Sequence, residues 1–484
     1  MLCEADRLKP LNDEQLAFIH DNTVKILSET GMHFPSREAR FIFAKHGFKI
    51  EGEIVYFNKI NIQKALESVP STFQIKARNP KYHVRVGDNS FVFKPSGGSP
   101  FILDYRGGIR PSTAKDCRDS IIISHSLPDI DINRSLIVAG DIPPENVPLY
   151  HMLTAIKLSD KPIDCISVKG VELLSILYGV SKNKLKQDAT QGIAHAISYI
   201  NPISPLKLSN NESDRLIGLS QGGVALAISP MPLAGMTAPC TLPGLLLSQN
   251  CEIIGTIVLS QLVNPGCPVL YGCIGTITEM RNVGSPIGAP ESRIIEFASA
   301  QIAKFYKIPS RGNAGLSDSN CVDFQAGAES LFQFINAVRC GIHLLPGLGA
   351  LGNWNIGSLE KLVLDAEIAR YVKRYIRPME FNSETTAVEL IQKTGSKGNF
   401  IIEEHTLFNF RKEFYSTQLF NRDTFTIWDN KGHKDSYDRA HEEINKIFDS
   451  YSAPDLDIAI ERDLERYVQD QYPVTCEMAK AHSL

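Results

Sequence analysis

Apolar residues run along this chain in three successive rhythms. In the first hundred or so residues, helical and strand spacings are mixed. Leu16, Ile19, Val24 and Leu27 recur at helical intervals behind Asn12-Asp13-Glu14-Gln15, a variant capping box, and Gly31 ends the run. Two short alternating runs, Tyr82–Gly87 and Phe91–Phe93, flank Asp88-Asn89, and this spacing predicts a hairpin. From Thr113 to about Pro378 the pattern becomes strand, loop, helix, repeated. The predicted strands are Ser135–Ala139, Asp164–Val168, Ile193–Ile200, Val224–Ile228, Pro268–Gly272, Ile308–Gly312 and Gly341–Leu345. Helices are predicted between them, among others Val171–Val180, Leu245–Val263, Ala289–Phe305, Ala326–Val338 and Leu359–Ile376. Beyond Pro378 the chain turns polar. Two charge-rich helices, Tyr437–Ser450 and Leu456–Asp470, keep single apolar stripes suited to packing on a larger body.

The middle region sets the fold class. Between Arg215 and Glu279 the only formal charge is Glu252, across more than sixty residues. Strands covered on both faces read as continuous Val, Ile, Leu and Ala runs, the mark of a parallel sheet wrapped by helices. The strand cadence predicts an α/β fold, specifically a closed (β/α)8 TIM barrel, with one strand left to find around Ser120 or near Ile356. The expected organisation is an N-terminal cap of helices and a β-hairpin over 1–112, the barrel over 113–378, and a C-terminal helical extension over 379–484.

Composition narrows the function. Lys and Arg total 50 against 54 Asp and Glu, a formal charge of −4 without a basic stripe, which argues against nucleic acid. The N-terminal residues lack the apolar core of a signal peptide. The apolar run Leu242–Val263 is interrupted by Gln249, Asn250, Glu252 and Gln261, so it reads as a buried helix rather than a membrane span. Ten scattered cysteines, with no CxxC, fit reduced thiols in a cytoplasm.

Familiar motifs carry little here. Gly347–Gly352 spells GxGxxG but continues as Asn353-Trp354-Asn355, not as a helix facing a pyrophosphate. Gly218–Gly222 spells GxSxG, yet the strand follows it instead of preceding it. The histidines lack metal-ligand spacing, so neither a metal nor a tightly bound cofactor is expected in this subunit. His343 stands apart, inside a predicted strand. The loops after the strands would converge on one mouth: Ser198–Pro202, Ser229–Pro232, Tyr271-Gly272, Arg311–Asn313 and Pro346-Gly347. Such a mixture of aromatic, small polar and Met residues with one cation suits a cationic or methylated ligand better than hydrolysis.

The central wording resembles the trimethylamine methyltransferase family of corrinoid-dependent enzymes. The resemblance rests on LSQGGVALAISPMPLAGMTAPCTLPGLLLSQNCEIIGTIVLSQLVNPGCPVLYG, on PESRIIEFASAQIAKFYKIPSRGNAGLSDSNCVDFQAG, on LVLDAEIAR and on the opening LNDEQLAFIHDNTVKILSETGMHF. It implies a barrel subunit that moves a methyl group from a methylated amine to the Co(I) of a corrinoid on a separate partner protein. Archaeal trimethylamine members carry pyrrolysine, which is absent here, so the sequence is similar to the branch acting on quaternary amines such as glycine betaine. Carnitine, γ-butyrobetaine, proline betaine or trimethylamine as substrate, or a non-catalytic betaine-binding barrel, are the alternatives, and a homo-oligomer stays open. A quaternary ammonium leaves as a neutral amine, so no general acid is required. The expected site residues are Arg311 for a substrate carboxylate, Tyr199, Tyr271, Asp104 and Tyr105 for a cage, and Asn201 and His343 nearby.

Overall fold

The computed structural model describes residues 8–472. A curled sheet of six parallel strands forms its centre: β1 (Val92–Pro95), β2 (Ile197–Ile200), β3 (Ala225–Ile228), β4 (Val269–Gly272), β5 (Ser310–Arg311) and β6 (Leu344–Leu348). Their spatial order is β2-β3-β4-β5-β6-β1. Leu226 pairs with Val269 and Tyr271 with Ser310, while Leu344 pairs with Val92, so the last strand lies beside the first. Two further segments carry single parallel bridges, Asn133 to Ile163 and Asp164 to Ile197.

Parallel strands require the chain to return between them, and helices carry it back. These are α2 (Asn210–Gln221), α3 (Leu242–Val263), α4 (Pro290–Phe305), α5 (Phe324–Cys340) and α6 (Leu359–Tyr375), preceded in the chain by α1 (Asp13–Glu29). Every residue of β3 is buried, which explains its unbroken Ala-Leu-Ala-Ile sequence. Helix α3 is apolar all round because the sheet lies on one side and α1 and the Lys59–Ser68 helix cover the other. Although it is long and apolar enough to cross a membrane, its most apolar window is 72% buried within the protein. Its polar groups are matched inside: Gln249 Nε2 donates to Ser299 Oγ at 2.9 Å and Asn250 Nδ2 to Thr23 Oγ1 at 2.7 Å.

Three expectations need correction. The stretch Tyr82–Phe93 is not a hairpin, because Val84–Val86 pairs antiparallel with Phe73–Ile75 instead. Val92–Pro95 enters the central sheet as β1, a strand that was sought instead near Ser120 or Ile356. Asp88, at a φ of 53°, turns the chain out of one sheet and into the other. Finally, the observed sheet has six strands and two single-bridge segments, where eight full strands were expected. Ser220 of the GxSxG string is buried in α2, and Gly347–Gly352 runs from the end of β6 into a short strand, Ala350–Leu351, with residue 347 required to be glycine: a Cβ there would sit 2.3 Å from Ala314 O.

The capping box at Asn12 is present, with Gln15 completing it. At the other end, α7 (Ser436–Ser450) and α8 (Ile458–Gln471) lay their apolar stripes, Ala440, Ile444 and Ile447 on α7, Leu464 and Val468 on α8, against the main body.

Candidate active site

A cavity of about 640 Å³ opens at the carboxyl ends of the strands. Each neighbouring strand contributes the residues just past its end: Ser96 after β1, Asn201 to Ser204 after β2, Ser229 and Met231 after β3, Ile274 after β4, and Trp354 after β6. Arg134 and Asp164 come from the single-bridge segments. Parallel strands place their ends together, so residues 260 positions apart in the chain meet around one space.

Charge is concentrated on the walls. Lys94 is fully buried and pairs with Asp164, whose other oxygen lies 3.0 Å from Arg134 Nη1. Arg311 is also buried, and its guanidinium donates to Cys273 O at 3.2 Å. The three cations surround the ring of Tyr199, with Lys94 Nζ 4.8 Å, Arg311 Cζ 5.6 Å and Arg134 Cζ 5.8 Å from its centroid. Against three cations stand Asp164 and, behind Arg311, Glu296, which is itself paired with Arg293. Burial pulls the Lys94 ammonium down to about 8, with Asp164 opposing the shift and Arg134 and Arg311 adding to it. Burial likewise lowers Arg311 and raises the Tyr199 phenol. Arg215, lining the same cavity, is neutralised by Glu212 at 2.7 Å, and Glu212 also accepts from the Asn201 N–H at 3.0 Å, which fixes the turn after β2.

Several buried polar atoms at this end have no hydrogen-bond partner among the described residues, among them Arg311 Nε, Tyr199 Oη, Ser96 Oγ and Ser229 Oγ in the cavity wall. Buried polar groups are ordinarily paired, so a cluster of unmatched ones facing a cavity marks a place prepared for a polar ligand. Small residues make the room. A Cβ on Gly97 would lie 1.9 Å from Arg134 Nε, and one on Gly272 would lie 2.3 Å from Ser229 Oγ. Trp354 and Met231, both in the cavity lining, pack on the apolar cluster of Ile287, Leu316 and Ala350. Asn353 and Trp354 both have left-handed backbones, φ 55° and 67°, a strain of about 1–2 kcal/mol each for residues bearing a Cβ. The hydroxyl of Ser99 holds the Trp354 carbonyl at 2.8 Å.

Of the residues expected at the site, Tyr199, Asn201 and Arg311 line the cavity together. The other four lie elsewhere. Tyr271 points away from the cavity to the helix layer, where its hydroxyl donates to Asn250 Oδ1 at 2.8 Å. Its neighbours on the sheet alternate sides, and residue 271 falls on the outer one. His343 sits at the start of β6, at the opposite end of the sheet, with Nδ1 3.0 Å from the Ser310 N–H and Nε2 3.2 Å from Asp88 O. Asp104 pairs with Arg110 at 2.8 Å on the surface. Tyr105 stacks on His441 at 3.7 Å and donates to Asp438 at 2.7 Å, tying the chain to α7. The residues not foreseen are Lys94, Arg134, Asp164 and Trp354. Lys94 was hidden by the hairpin reading of its segment; once β1 is a barrel-like strand, a lysine within it is conspicuous.

Comparison with known proteins agrees with this architecture. Residues 2–473 match the family Trimethylamine methyltransferase (MTTB). A glycine betaine methyltransferase of Desulfitobacterium hafniense strain Y51 is 34% identical over 469 residues, covering 95% of this chain and 96% of its own. A trimethylamine methyltransferase of the same species, strain DSM 10664 / DCB-2, is 31% identical, covering 96% and 95%. The crystal structure of the Methanosarcina barkeri monomethylamine methyltransferase superimposes with a TM-score of 0.52 over 92% of this chain and 90% of that one, at 13% identity, a likeness of fold. The chain belongs to the trimethylamine methyltransferase (MTTB) family of methyltransferases.

Proposed function

We propose that this enzyme demethylates a small zwitterionic quaternary amine, glycine betaine in the first place, and passes the methyl group to a corrinoid carried by a separate protein. The observation that carries the substrate class is the excess of positive charge at the base of the cavity, where Lys94, Arg134 and Arg311 meet Asp164 and Glu296, and Glu296 is shared with Arg293. Such a site gains most from an anionic group, and Arg311 with its unmatched Nε is built for a carboxylate. The ammonium end then lies toward the mouth, against Trp354 and Met231, where an aromatic face and a thioether replace its water.

The same arrangement supports the division of labour. A cavity of about 640 Å³ takes a betaine but not a corrinoid ring beside it, so the corrinoid would be presented at the mouth. When bound there it supplies the nucleophile that takes the methyl group. The C–N bond breaks with its electron pair left on nitrogen, and the product is a neutral tertiary amine that needs no proton. What remains for the protein is to fix the carboxylate, aim one methyl outward and keep water from the cation. Asp164, held by Lys94 and Arg134, is positioned to organise that base.

We infer also that the curled sheet is completed to an eight-membered barrel. The Asp131 N–H bonds Phe93 O at 2.8 Å, the Asn133 N–H bonds Pro162 O at 2.8 Å and the Cys165 N–H bonds Ile197 O at 2.8 Å, which supports a ring running β1, 131–133, 163–165, β2. The buried free thiols of Cys117, Cys165, Cys251, Cys267 and Cys273 support a cytoplasmic setting. The test of function is to mix the purified protein with reduced cobalamin and a panel of amines, following methylcobalamin absorbance. Glycine betaine should be turned over, with dimethylglycine and trimethylamine poor. Efficient use of trimethylamine would overturn the quaternary-amine reading.

A further inference from the structure

The turn that carries Trp354 is built against the preference of its own residues. Ala350–Leu351 pairs antiparallel with Ile356–Gly357, and four residues join these two short strands. Three of the four in succession, Gly352, Asn353 and Trp354, have φ of 52°, 55° and 67°. Glycine enters this left-handed region freely and asparagine with some tolerance, but as single residues, and a tryptophan is penalised there. A run of three ending on tryptophan persists only where its surroundings impose it. Part of that hold comes from the loop after β5: the Gly352 N–H bonds Ser319 O at 2.8 Å and the Asn353 N–H bonds Ser317 O at 3.3 Å.

One side chain gathers further ties. Asp318, which is not itself in the cavity lining, accepts the Ile287 N–H on one oxygen at 2.8 Å and the Gly288 N–H on the other at 2.9 Å. The Asn353 side-chain amide donates to the same carboxylate and, at 3.2 Å, to Ser285 O. Loops that follow β4, β5 and β6 thus meet at one carboxyl group. Two of its partners bear directly on Trp354. Asn353 precedes it in the turn, and Ile287 belongs to the apolar cluster against which the ring packs. Arg293 holds Ile287 from the other side, donating to its carbonyl at 3.2 Å.

We propose that Asp318 is the positioning residue for the methylammonium end of the substrate: by tying Asn353 to Ile287 it fixes how the Trp354 ring faces the cavity. This rests on the reading above that Trp354 meets the ammonium. Attraction to a cation requires it over the face of the ring, within about 6 Å of the centre, so a ring left free to swing loses it although no substrate contact is deleted. Arg311 is held separately, by Cys273 O, and carboxylate recognition should survive the loss of these ties.

The chain has two tryptophans, so in a Trp428→Phe background Trp354 alone reports by fluorescence. Asp318→Ala in that background should shift the emission to the red and raise glycine betaine KM about tenfold, with kcat kept within about threefold. Inhibition by acetate, which offers the carboxylate end alone, should be unchanged. Should Asp318→Ala not fold, Asn353→Gly takes its place. Glycine adopts a φ of 55° without strain, so only the side-chain tie is cut, and the same split is expected. An unmoved emission, an unmoved KM, or an equal loss of betaine turnover, acetate inhibition and melting temperature would each overturn the proposal. A native chain that methylates cobalamin from no betaine defeats the functional reading and this one with it. A native chain that does so, beside a variant that behaves the same, defeats the role of Asp318 alone.

Discussion

The two ends of the central sheet are made by the same strands and differ in where their unmatched polar atoms lie. At the amino ends, His343 is engaged on both ring nitrogens, by the Ser310 N–H and by Asp88 O. At the carboxyl ends, Arg311 Nε, Tyr199 Oη, Ser96 Oγ and Ser229 Oγ have no protein partner among the described residues. The first end leaves only scattered atoms unmatched, such as His195 Nδ1 and Ser220 Oγ; the second gathers its unmatched groups around one cavity, at a cost of about 1–3 kcal/mol apiece until something binds. A histidine beside a serine is thus a weaker sign of a site here than an arginine whose Nε is left unmatched. Unmatched atoms gathered around one cavity, rather than residue type, mark the working end.

The largest effect should come from Lys94→Met. It removes one partner of a buried pair and leaves Asp164 to Arg134 alone, which should cost about 3–5 kcal/mol in urea unfolding. The exposed pair Lys115–Asp119 gives the contrast, and Lys115→Met should change stability by less than about 0.5 kcal/mol. Similar losses at both positions would remove the special standing of the cavity base.

Arg311→Ala should lower betaine kcat/KM by about 2–3 kcal/mol, roughly 30- to 150-fold, mostly through KM, with little change in melting temperature. His343→Ala should do the reverse, lowering melting temperature while kcat/KM stays within about threefold. If the Arg311 variant instead unfolds early and loses all amines equally, it is only a tie between loops.

Two titrations sharpen the comparison. Lys94 sits near 8 in the folded protein, and an anionic ligand favours its charged form. Betaine KM should therefore rise several-fold as pH climbs through about 8 and the ammonium deprotonates, a change absent from Lys94→Met if that variant folds. Glu252 behaves oppositely for stability. Burial raises it from 4.5 to about 7, against the bonds from Ser204 Oγ at 2.8 Å and the Leu206 N–H at 3.1 Å. A carboxyl with a raised folded value prefers to be neutral when folded, so stability falls as pH rises from about 4.5 to 7 and the penalty stays above it. Glu252→Gln should remove about 1–2 kcal/mol of that slope, measured as the difference from the native protein across the range.

The smallest effect is expected at Tyr271→Phe, which deletes the bond to Asn250 and should cost about 1 kcal/mol of stability without altering turnover. A loss of activity there would return Tyr271 to the site.

Much was readable from the chain alone. The uncharged run from Arg215 to Glu279 required a buried sheet and helix, because burying a charge unpaired is costly, and β3, α3 and β4 lie where it placed them. The capping box at Asn12 and the stripes of α7 and α8 were equally legible, since they depend on neighbours three or four residues away. Arg311 and Tyr199 were found because they end apolar strands. Local spacing could not tell that Val92–Pro95 leaves Val84–Val86 to pair with Leu344–Leu348, about 250 residues on, since both partners offer a strand the same alternation. Nor could it show which way Tyr271 faces, as one step of register exchanges cavity for helix layer. The charge of the cavity was likewise beyond reach: Lys94, Arg134 and Arg311 lie on separate segments, and only the curling of the sheet brings three like charges around one tyrosine ring. Local sequence determines elements by short-range sterics and solvation; the site is a sum of long-range pairings, and the tertiary structure alone decides those.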